Sequence, residues 1–217
     1  YGDFDKSGIL LNSPSIDTLG LIARSVEDVS LFRSILLEEK LVEPKKINLN
    51  NLRIGFVKTP HWDKTDISTQ NKLESFIETL RLEKFDITDL NIDKLISKAD
   101  KLHVDVSGYE FKRSISYERF NHYNELSDIL RNGRLSDGYQ VTNELYKKAV
   151  KEVQVLKNDI DTVFNNIDLI ITPSAPGEAL KGIEYTGSAL FNTTWSLCGN
   201  PCITIPLFRG DQNLPIG

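Results

Sequence analysis

Apolar positions recur along this chain with two different spacings, and these predict where strands and helices lie. Short runs of β-branched or alternating apolar residues predict strands over residues 52–57, 85–90, 168–171 and 202–205, with a further short run at residues 9–11. Helical spacing predicts helices from residue 25 to before Pro44, then over residues 66–84, 92–106, 109–130 and 139–164, and in a short run ahead of Cys198. The order of these segments already limits the fold.

A strand, a helix and a second strand follow each other between residues 52 and 90. Such a β-α-β unit implies two parallel strands joined by a right-handed crossover. We therefore predict an α/β fold with a mixed, largely parallel central sheet covered by helices on both faces. Residues 1–217 are expected to form one portion of a single domain, with a helical subregion at about residues 92–165.

Polar residues at the ends of the predicted helices indicate where each helix begins. Ser25 is a good N-cap with the acidic Asp28 three residues later, and Asp66 can cap the next helix. Ser136 and the residues after it are predicted to open the long helix that starts at Tyr139. Gly199 is expected to end the last helix, because glycine commonly follows the final turn.

Composition and charge exclude several classes of function. The 217 residues are 40% hydrophobic with a net charge of −5, and no basic patch is visible, so a nucleic-acid partner is not expected. No apolar run is long enough for a membrane span, and no phosphate-cradling glycine motif follows the strand at Gly55. Two cysteines and three scattered histidines do not form a metal site, so we expect no cofactor.

The same composition suggests a cellular setting. Cys198 and Cys202 are interpreted as buried structural thiols in a reducing cytoplasm, and the three histidines as ordinary surface or helix residues. The chain contains no methionine, so we expect it to be a piece of a longer protein.

Residues 185–206 form the most informative stretch, in which a Thr-Gly pair, an aromatic helical run and a Gly-x-Pro break precede a short strand. The residues that carry its pattern are Thr186, Gly187, Phe191, Trp195, Leu197, Gly199, Pro201 and Pro206. This stretch resembles the C-terminal motif of the amidase signature family of serine hydrolases.

Three other segments resemble motifs of the same family, in the same order. The first contains Ser15, Asp17, Gly20, Ala23, Arg24, Ser25, Val26 and Asp28. The second contains Leu135, Ser136, Gly138, Tyr139, Tyr146 and Ala149, and the third is the strand and turn from Asp168 to Pro176. The prolines of that turn lie after the strand's carboxyl end, where ligands of α/β sheets usually bind.

The resemblance implies an amide hydrolase that uses a serine nucleophile, a second serine in a cis peptide, and a lysine base. No run of the Gly-Ser-Ser-Gly type occurs in these residues, so the lysine and both serines are expected upstream of Tyr1. The chain alone is then expected to hydrolyse nothing, since a serine needs an adjacent base to become nucleophilic. Its expected role is to line the pocket of a small-molecule amide through Thr186, Ser188 and Trp195, although packing or capping would also explain these three residues.

Two alternatives remain open. One is the A subunit of a tRNA-dependent amidotransferase, a branch of the family that binds glutamine with an acidic residue and an arginine. This sequence has Ser188 at the first place and Ser127 or Asp128 at the second, which weighs against glutamine. The other is a non-catalytic α/β binding module. The sequence leaves the substrate's identity and any homo-oligomer undecided.

Overall fold

The computed structural model describes residues 2–41 and 47–217. Within these ranges the α-helices are α1 (Val26–Leu36), α2 (Ile67–Leu82), α3 (Asp93–Ser114), α4 (Ser116–Asn121), α5 (Asp128–Asn132), α6 (Arg134–Gln140), α7 (Asn143–Val163) and α8 (Thr193–Cys198). The strands are β1 (Arg53–Phe56), β2 (Asp86–Asp89), β3 (Leu169–Ile171), β4 (Phe208–Arg209) and β5 (Pro215–Ile216). Single 3₁₀ turns occur at Leu49–Asn51, Trp62–Lys64 and Tyr123–Glu125.

Three parallel strands form the central sheet, in the order β2-β1-β3. Ile54 of β1 lies opposite Ile87 of β2 on one side and Leu169 of β3 on the other. The predicted parallel pairing of the first two strands is therefore confirmed. β4 and β5 pair separately as a short antiparallel hairpin, so the sheet content is mixed but largely parallel.

Helices cover both faces of this sheet. Successive residues of β1 point to opposite sides, so neighbouring positions show which helices pack on each face. Phe56 packs with Leu73 and Ile77 of α2 on one face. Val57, directly after β1, belongs to the larger core on the other face, which contains side chains of α3, α7 and α8. The β1–β2 and β2–β3 connections thus lie on opposite faces of the sheet. In open α/β sheets, such a reversal leaves a crevice at the carboxyl ends of the two strands where it occurs, here β1 and β3.

The helical subregion differs from the sequence prediction at Gly108. Helix α3 runs without a break from Asp93 to Ser114, so the predicted boundary between residues 106 and 109 is wrong. The glycine has a packing role, because a Cβ on Gly138 of α6 would lie 2.2 Å from the carbonyl oxygen of Gly108. The two glycines allow α3 and α6 to cross at close backbone contact.

Two other predicted helices also have different bounds. The residues from Tyr109 to Leu130 do not form one helix but end α3, form α4 and a 3₁₀ turn, and begin α5. The long helix α7 begins at Asn143 and not at Tyr139, because the side chain of Thr142 accepts a hydrogen bond from the amide of Leu145. The earlier signal at Ser136 lies within α6.

Local signals gave correct helix ends elsewhere. Ser25 is the N-cap of α1, where its side chain accepts a hydrogen bond from the amide of Asp28. Gly199 ends α8 in the left-handed region, with a φ of 76°. Asp66 occupies the N-cap position of α2, although its side chain makes no capping hydrogen bond. Pro44, expected to lie beyond the end of α1, falls outside the described residues.

Two predicted strands are absent from the described sheets. Residues 9–11 and 202–205 have no regular secondary structure, and Ile203 and Ile205 are exposed. Their residues favour a strand, but a strand also needs a neighbour for its backbone groups, and none of the described strands lies beside them in a ladder.

Candidate functional site

Three segments meet at the carboxyl end of the central sheet. The amide of Asp66, at the end of the loop after β1, donates to the carbonyl of Pro176 in the loop after β3 at 2.7 Å. The side-chain amide of Asn192, next to α8, donates to the carbonyl of Ser174 in that same loop at 3.0 Å. The crevice between β1 and β3 is therefore bordered by the β1 loop, the β3 loop and the start of α8.

A histidine–carboxylate pair fixes the β1 loop at this place. Nε2 of His61 lies 2.7 Å from Oδ2 of Asp100 on α3, and both side chains are largely buried. The His61 ring also meets the edge of Phe191 at a centroid distance of 6.3 Å. His61 is thus a packed link between three elements, which corrects its interpretation as an ordinary residue. Sequence reasoning missed the pair because nothing in the pattern relates positions 61 and 100.

Backbone strain lies next to this pair. Thr59 has a φ of 71°, which a β-branched residue rarely adopts, and it is buried. Its hydroxyl oxygen accepts a hydrogen bond from the amide of His61 at 3.1 Å. Strain of this kind costs about 1–3 kcal/mol and persists only where the surroundings enforce it. The turn at the end of β1 is therefore held rigidly by its contacts.

The loop after β3 is tied to the C-terminal hairpin. Both the amide and the hydroxyl of Ser174 donate to the carbonyl of Gly217, at 3.1 and 2.6 Å. The carboxylate of Glu178 accepts from the amide of Gln212 at 2.9 Å and from that of Leu214 at 2.7 Å. These contacts fix residues 174–178 against the β4–β5 hairpin.

A groove of about 570 Å³ opens beside the ends of β1 and β2, on the α2 side. Charged residues line it, but they pair with one another across its wall. Lys58 contacts Glu74 at 2.5 Å, and Arg81 contacts Glu78 at 2.5 Å and Asp89 at 2.8 Å. Because these charges compensate each other, the groove offers no clear charge preference for a ligand.

None of the three residues expected to line a substrate pocket borders this groove. All three lie in the part of the chain between the β3 loop and the end of α8. Thr186 is exposed, and Ser188 is half-buried, with its hydroxyl accepting from the amide of Leu190 at 3.4 Å. Both belong to the segment that leads from the β3 loop to α8. Trp195 is 7% exposed and packs in the main core. The structure thus places Trp195 in the core that also contains Val57, directly after β1, while Thr186 is exposed and Ser188 is half-buried.

A serine–lysine pair occurs on α2, and its surroundings explain it structurally. The ammonium of Lys72 contacts the hydroxyl of Ser68, which donates to Asp211 at 2.9 Å. Lys72 also lies 3.7 Å from the carboxylate of Asp211. In this geometry the lysine donates to the serine and the serine proton points to a carboxylate, so the lysine does not act as the serine's base.

A buried carboxylate holds the N-terminal loop that carries Ser15 and Asp17. Glu110 of α3 is 7% exposed and accepts from the amide of Ser15 at 3.0 Å and from the Tyr146 hydroxyl at 2.8 Å. Burial, followed by the hydrogen bond to Glu110, raises the pKa of Tyr146 to about 12. Asp17 in turn accepts from the amide of Ser13 at 2.9 Å. Ser15 and Asp17 thus both fix this loop, and the contact of Ser15 with Glu110 is one that the motif did not reveal.

The two cysteines differ in burial. Cys198 is half-buried, and burial raises the pKa of its thiol to about 11. Cys202 is exposed, so the prediction of a buried thiol is wrong for this residue.

Within residues 2–41 and 47–217, no group of three or more His, Cys, Asp or Glu side chains is arranged to hold a metal ion. None of the helices described in these ranges combines the length and the apolar character of a membrane span.

Comparison with known proteins decides the family. The family model described as Amidase matches residues 1–217, the whole chain. The chain belongs to the amidase family. The resemblance seen in the four sequence motifs is thereby confirmed.

Curated members of the amidase family that resemble this chain are of two kinds. An indoleacetamide hydrolase of Allorhizobium ampelinum is 24% identical over 245 residues, covering 100% of this chain and 53% of that protein. The A subunit of the glutamyl-tRNA(Gln) amidotransferase of Methanococcus maripaludis is 25% identical over 240 residues, covering 100% of this chain and 55% of that protein. The chain thus spans about half the length of these amidase relatives.

The fold agrees with the family. A solved structure described as a crystal structure of amidase matches with a TM-score of 0.82 and 20% identity, covering 100% of this chain and 51% of that chain. The predicted α/β architecture, with a largely parallel sheet between helices, is therefore the amidase fold in the part that this chain covers.

Proposed function

We propose that this chain is part of an amidase that hydrolyses carboxylic amides through a serine, a cis-peptide serine and a lysine, and that these three residues lie upstream of Tyr1. The observation that carries the proposal is the extent of the match: the family model covers all of residues 1–217, yet the chain spans only 53% of the indoleacetamide hydrolase. The longer polypeptide is the first partner that the proposal requires.

The contribution proposed for this chain is a wall of the substrate pocket. The loops after β1 and β3 border the crevice at the carboxyl end of the sheet, and the hydrogen bonds from Asp66 to Pro176 and from Asn192 to Ser174 hold this border in place. Rigid placement matters because a misplaced wall costs an enzyme much of the advantage of orienting its substrate. We assign Thr186 and Ser188 to the surface that faces the small-molecule amide, and the buried Trp195 to support of that surface from below.

The remaining features of the proposal concern partners and setting. We propose a cytoplasmic enzyme that needs no cofactor and no membrane partner. A nucleic-acid partner is not expected either, since the net charge is −5 and no basic patch is present. Residues 1–217 alone are proposed to be inactive, because the described serine–lysine pair at Ser68 and Lys72 has its proton directed to Asp211.

A second candidate is the A subunit of a tRNA-dependent amidotransferase, favoured by the similarity to the M. maripaludis protein. The residues at the place where that branch has an arginine argue against it. Ser127 caps α5, and Asp128 is paired with Arg131 at 2.6 Å, so neither position presents an arginine to a carboxylate. A non-catalytic module of the same fold is the third candidate.

Reading the coding frame upstream of Tyr1 separates these candidates. A lysine followed by a Gly-Ser-Ser-Gly-type run supports the amidase, and its absence favours the non-catalytic module. Release of ammonia from simple carboxylic amides by the longer polypeptide, without tRNA or a partner protein, then distinguishes the amidase from the amidotransferase. If turnover required both tRNA and a partner protein, the first proposal would be contradicted.

A further inference from the structure

We propose that Glu110 is a positioning residue for amide turnover, which acts by holding the N-terminal loop, residues 12–17, at a fixed place on α3 beside the loop after β1. The proposal rests on the proposed function for the reaction that this placement serves. It gives the buried carboxylate a part in turnover, although Glu110 lies outside the four sequence motifs and away from the crevice border.

The two loops are held by polar residues along one side of α3. Asp100 contacts the loop after β1, whereas Ser107 and Glu110 contact the N-terminal loop. Residues separated by three or seven positions lie on the same side of an α-helix. The step from Asp100 to Ser107 is about 10 Å along the helix axis. The two loops are therefore anchored next to each other on one helix, about two turns apart.

Buried groups fix the N-terminal loop at this place. The hydroxyl of Ser13, a residue only 4% exposed, donates to the carbonyl of Ser107 at 3.3 Å. Ile16 is 5% exposed and belongs to the core that also contains Val57, directly after β1. Because the loop shares a core with the end of β1, a shift of the loop changes its position relative to the crevice.

Glu110 is the contact whose loss should displace the loop most. Its Oε2 accepts from the amide of Ser15 at 3.0 Å, and its Oε1 accepts from the hydroxyl of Tyr146 on α7 at 2.8 Å. The carboxylate thus ties the loop to two helices at once. Hydrogen bonds to a charged acceptor are stronger than those between neutral groups, such as the contact between Ser13 and Ser107.

The place of this loop in the chain connects it to turnover. The loop follows shortly after Tyr1, and we propose that the reactive serines and lysine lie upstream of that residue. Lys6 ties the incoming chain to the loop, because its ammonium donates to the carbonyls of Pro14 and Asp17 at 3.0 and 3.2 Å. A displaced loop would therefore move the incoming chain with it. Small misplacements of reacting groups cost large factors in rate, while the walls that bind the amide stay in place.

Glu110→Ala and Tyr146→Phe form a matched pair of variants in the longer polypeptide. Both remove the contact between Glu110 and Tyr146, but only Glu110→Ala removes the contact with Ser15. We expect kcat for a simple carboxylic amide, per folded molecule, to fall at least about 10-fold in Glu110→Ala, with KM changed by less than about twofold. In Tyr146→Phe, kcat should change by less than about twofold. Equal kcat values of the two variants would overturn the proposal.

Two further variants separate positioning from stability. Glu110→Gln keeps an oxygen that accepts from the Ser15 amide and an NH₂ group that donates to the Tyr146 oxygen, so kcat should stay within about threefold of the original value. A Glu110→Gln variant as slow as Glu110→Ala would contradict the proposal. If Glu110→Ala does not fold, Glu110→Met is compared in a Tyr146→Phe background, where no buried phenol lacks an acceptor.

Hydrogen exchange at the Ser15 amide distinguishes this proposal from the proposed function. The amide should exchange at least about 10-fold faster in Glu110→Ala than in Tyr146→Phe, whether or not the longer polypeptide hydrolyses amides. Equal exchange rates in the two variants would show that Glu110 does not hold the loop, and would overturn the positioning role alone. Exchange rates that differ as expected, in a longer polypeptide that releases no ammonia from amides, would contradict the proposed function alone.

Discussion

The imidazole of His61 and the carboxylate of Asp100 approach to 2.7 Å, and this contact joins the loop after β1 to the middle of α3. The exposed pair His122 and Glu125 has the same 2.7 Å separation within a few residues of chain. The two pairs differ in burial, since His61 is 14% exposed and His122 is 43% exposed. The exposed pair is therefore a control for the contribution of the buried pair to stability.

Replacing His61 by Ala should destabilise the fold by about 1–3 kcal/mol, because the carboxylate of Asp100 would be left buried without its partner. His122→Ala should change the free energy of unfolding by less than about 0.5 kcal/mol, as is usual for exposed pairs. Urea unfolding of the two variants measures both values. Equal effects would show that the contact to Asp100 does not fix the β1 loop.

Gly138 should tolerate no side chain, because a Cβ there would meet the carbonyl of Gly108 at 2.2 Å. We expect Gly138→Ala to lower the free energy of unfolding by about 2–3 kcal/mol through overpacking of α3 against α6. Gly20→Ala is the control, since a Cβ on Gly20 has no neighbour within 4 Å. A Gly138→Ala variant as stable as the control would rule out the close helix crossing.

The phenol of Tyr146 should lose its proton at a higher pH than an ordinary tyrosine does. Burial raises its pKa from 10.0 to about 12, so the neutral phenol is favoured in the folded state. Its contribution to stability should be complete below pH 10 and should be lost as the pH rises from 10 towards 12. The ultraviolet absorbance of phenolate, compared with a Tyr146→Phe variant, measures this titration. A Tyr146 signal that titrates at its ordinary pKa of 10.0 would disprove the buried contact with Glu110.

Acid titration should reveal the pair that joins β1 to the start of β3. Hydrogen bonds from Arg53, first from its side chain and then from its amide, lower the pKa of Asp168 from 3.8 to about 2. The stability that this pair contributes should be present above pH 4 and lost as the pH falls from about 4 to about 2. Carboxyl NMR on the protein and on an Arg53→Leu variant measures the pKa, which the substitution should return towards 3.8.

Local signals in the sequence predicted the local structure. Ser25 and Gly199 act within one helical turn of their own positions, and β1 and β2 are joined by a single helix, so pattern and capping chemistry were sufficient for them. The prediction of a helix break near Gly108 was wrong, because the role of this glycine is not local. That role is a contact with Gly138, and no periodicity along one helix reveals which distant backbone approaches it.

The candidate site was less predictable than the fold. The contact between Ser15 and Glu110 spans 95 positions, and the one between His61 and Asp100 spans 39. Such pairs depend on how α3 packs against the loops. Motif residues such as Thr186 and Ser188 could be recognised from the sequence, but the role proposed for them depends on groups that we propose to lie upstream of Tyr1.

Turnover of the longer polypeptide is the most direct measurement of the central claim, that residues 1–217 shape a pocket whose reactive groups lie elsewhere. Ammonia release from carboxylic amides should fall at least about a thousandfold when the upstream lysine is replaced, and should be unchanged in Lys72→Met. Residues 1–217 alone should release none. Ammonia release by residues 1–217 alone, or full turnover after loss of the upstream lysine, would contradict the account.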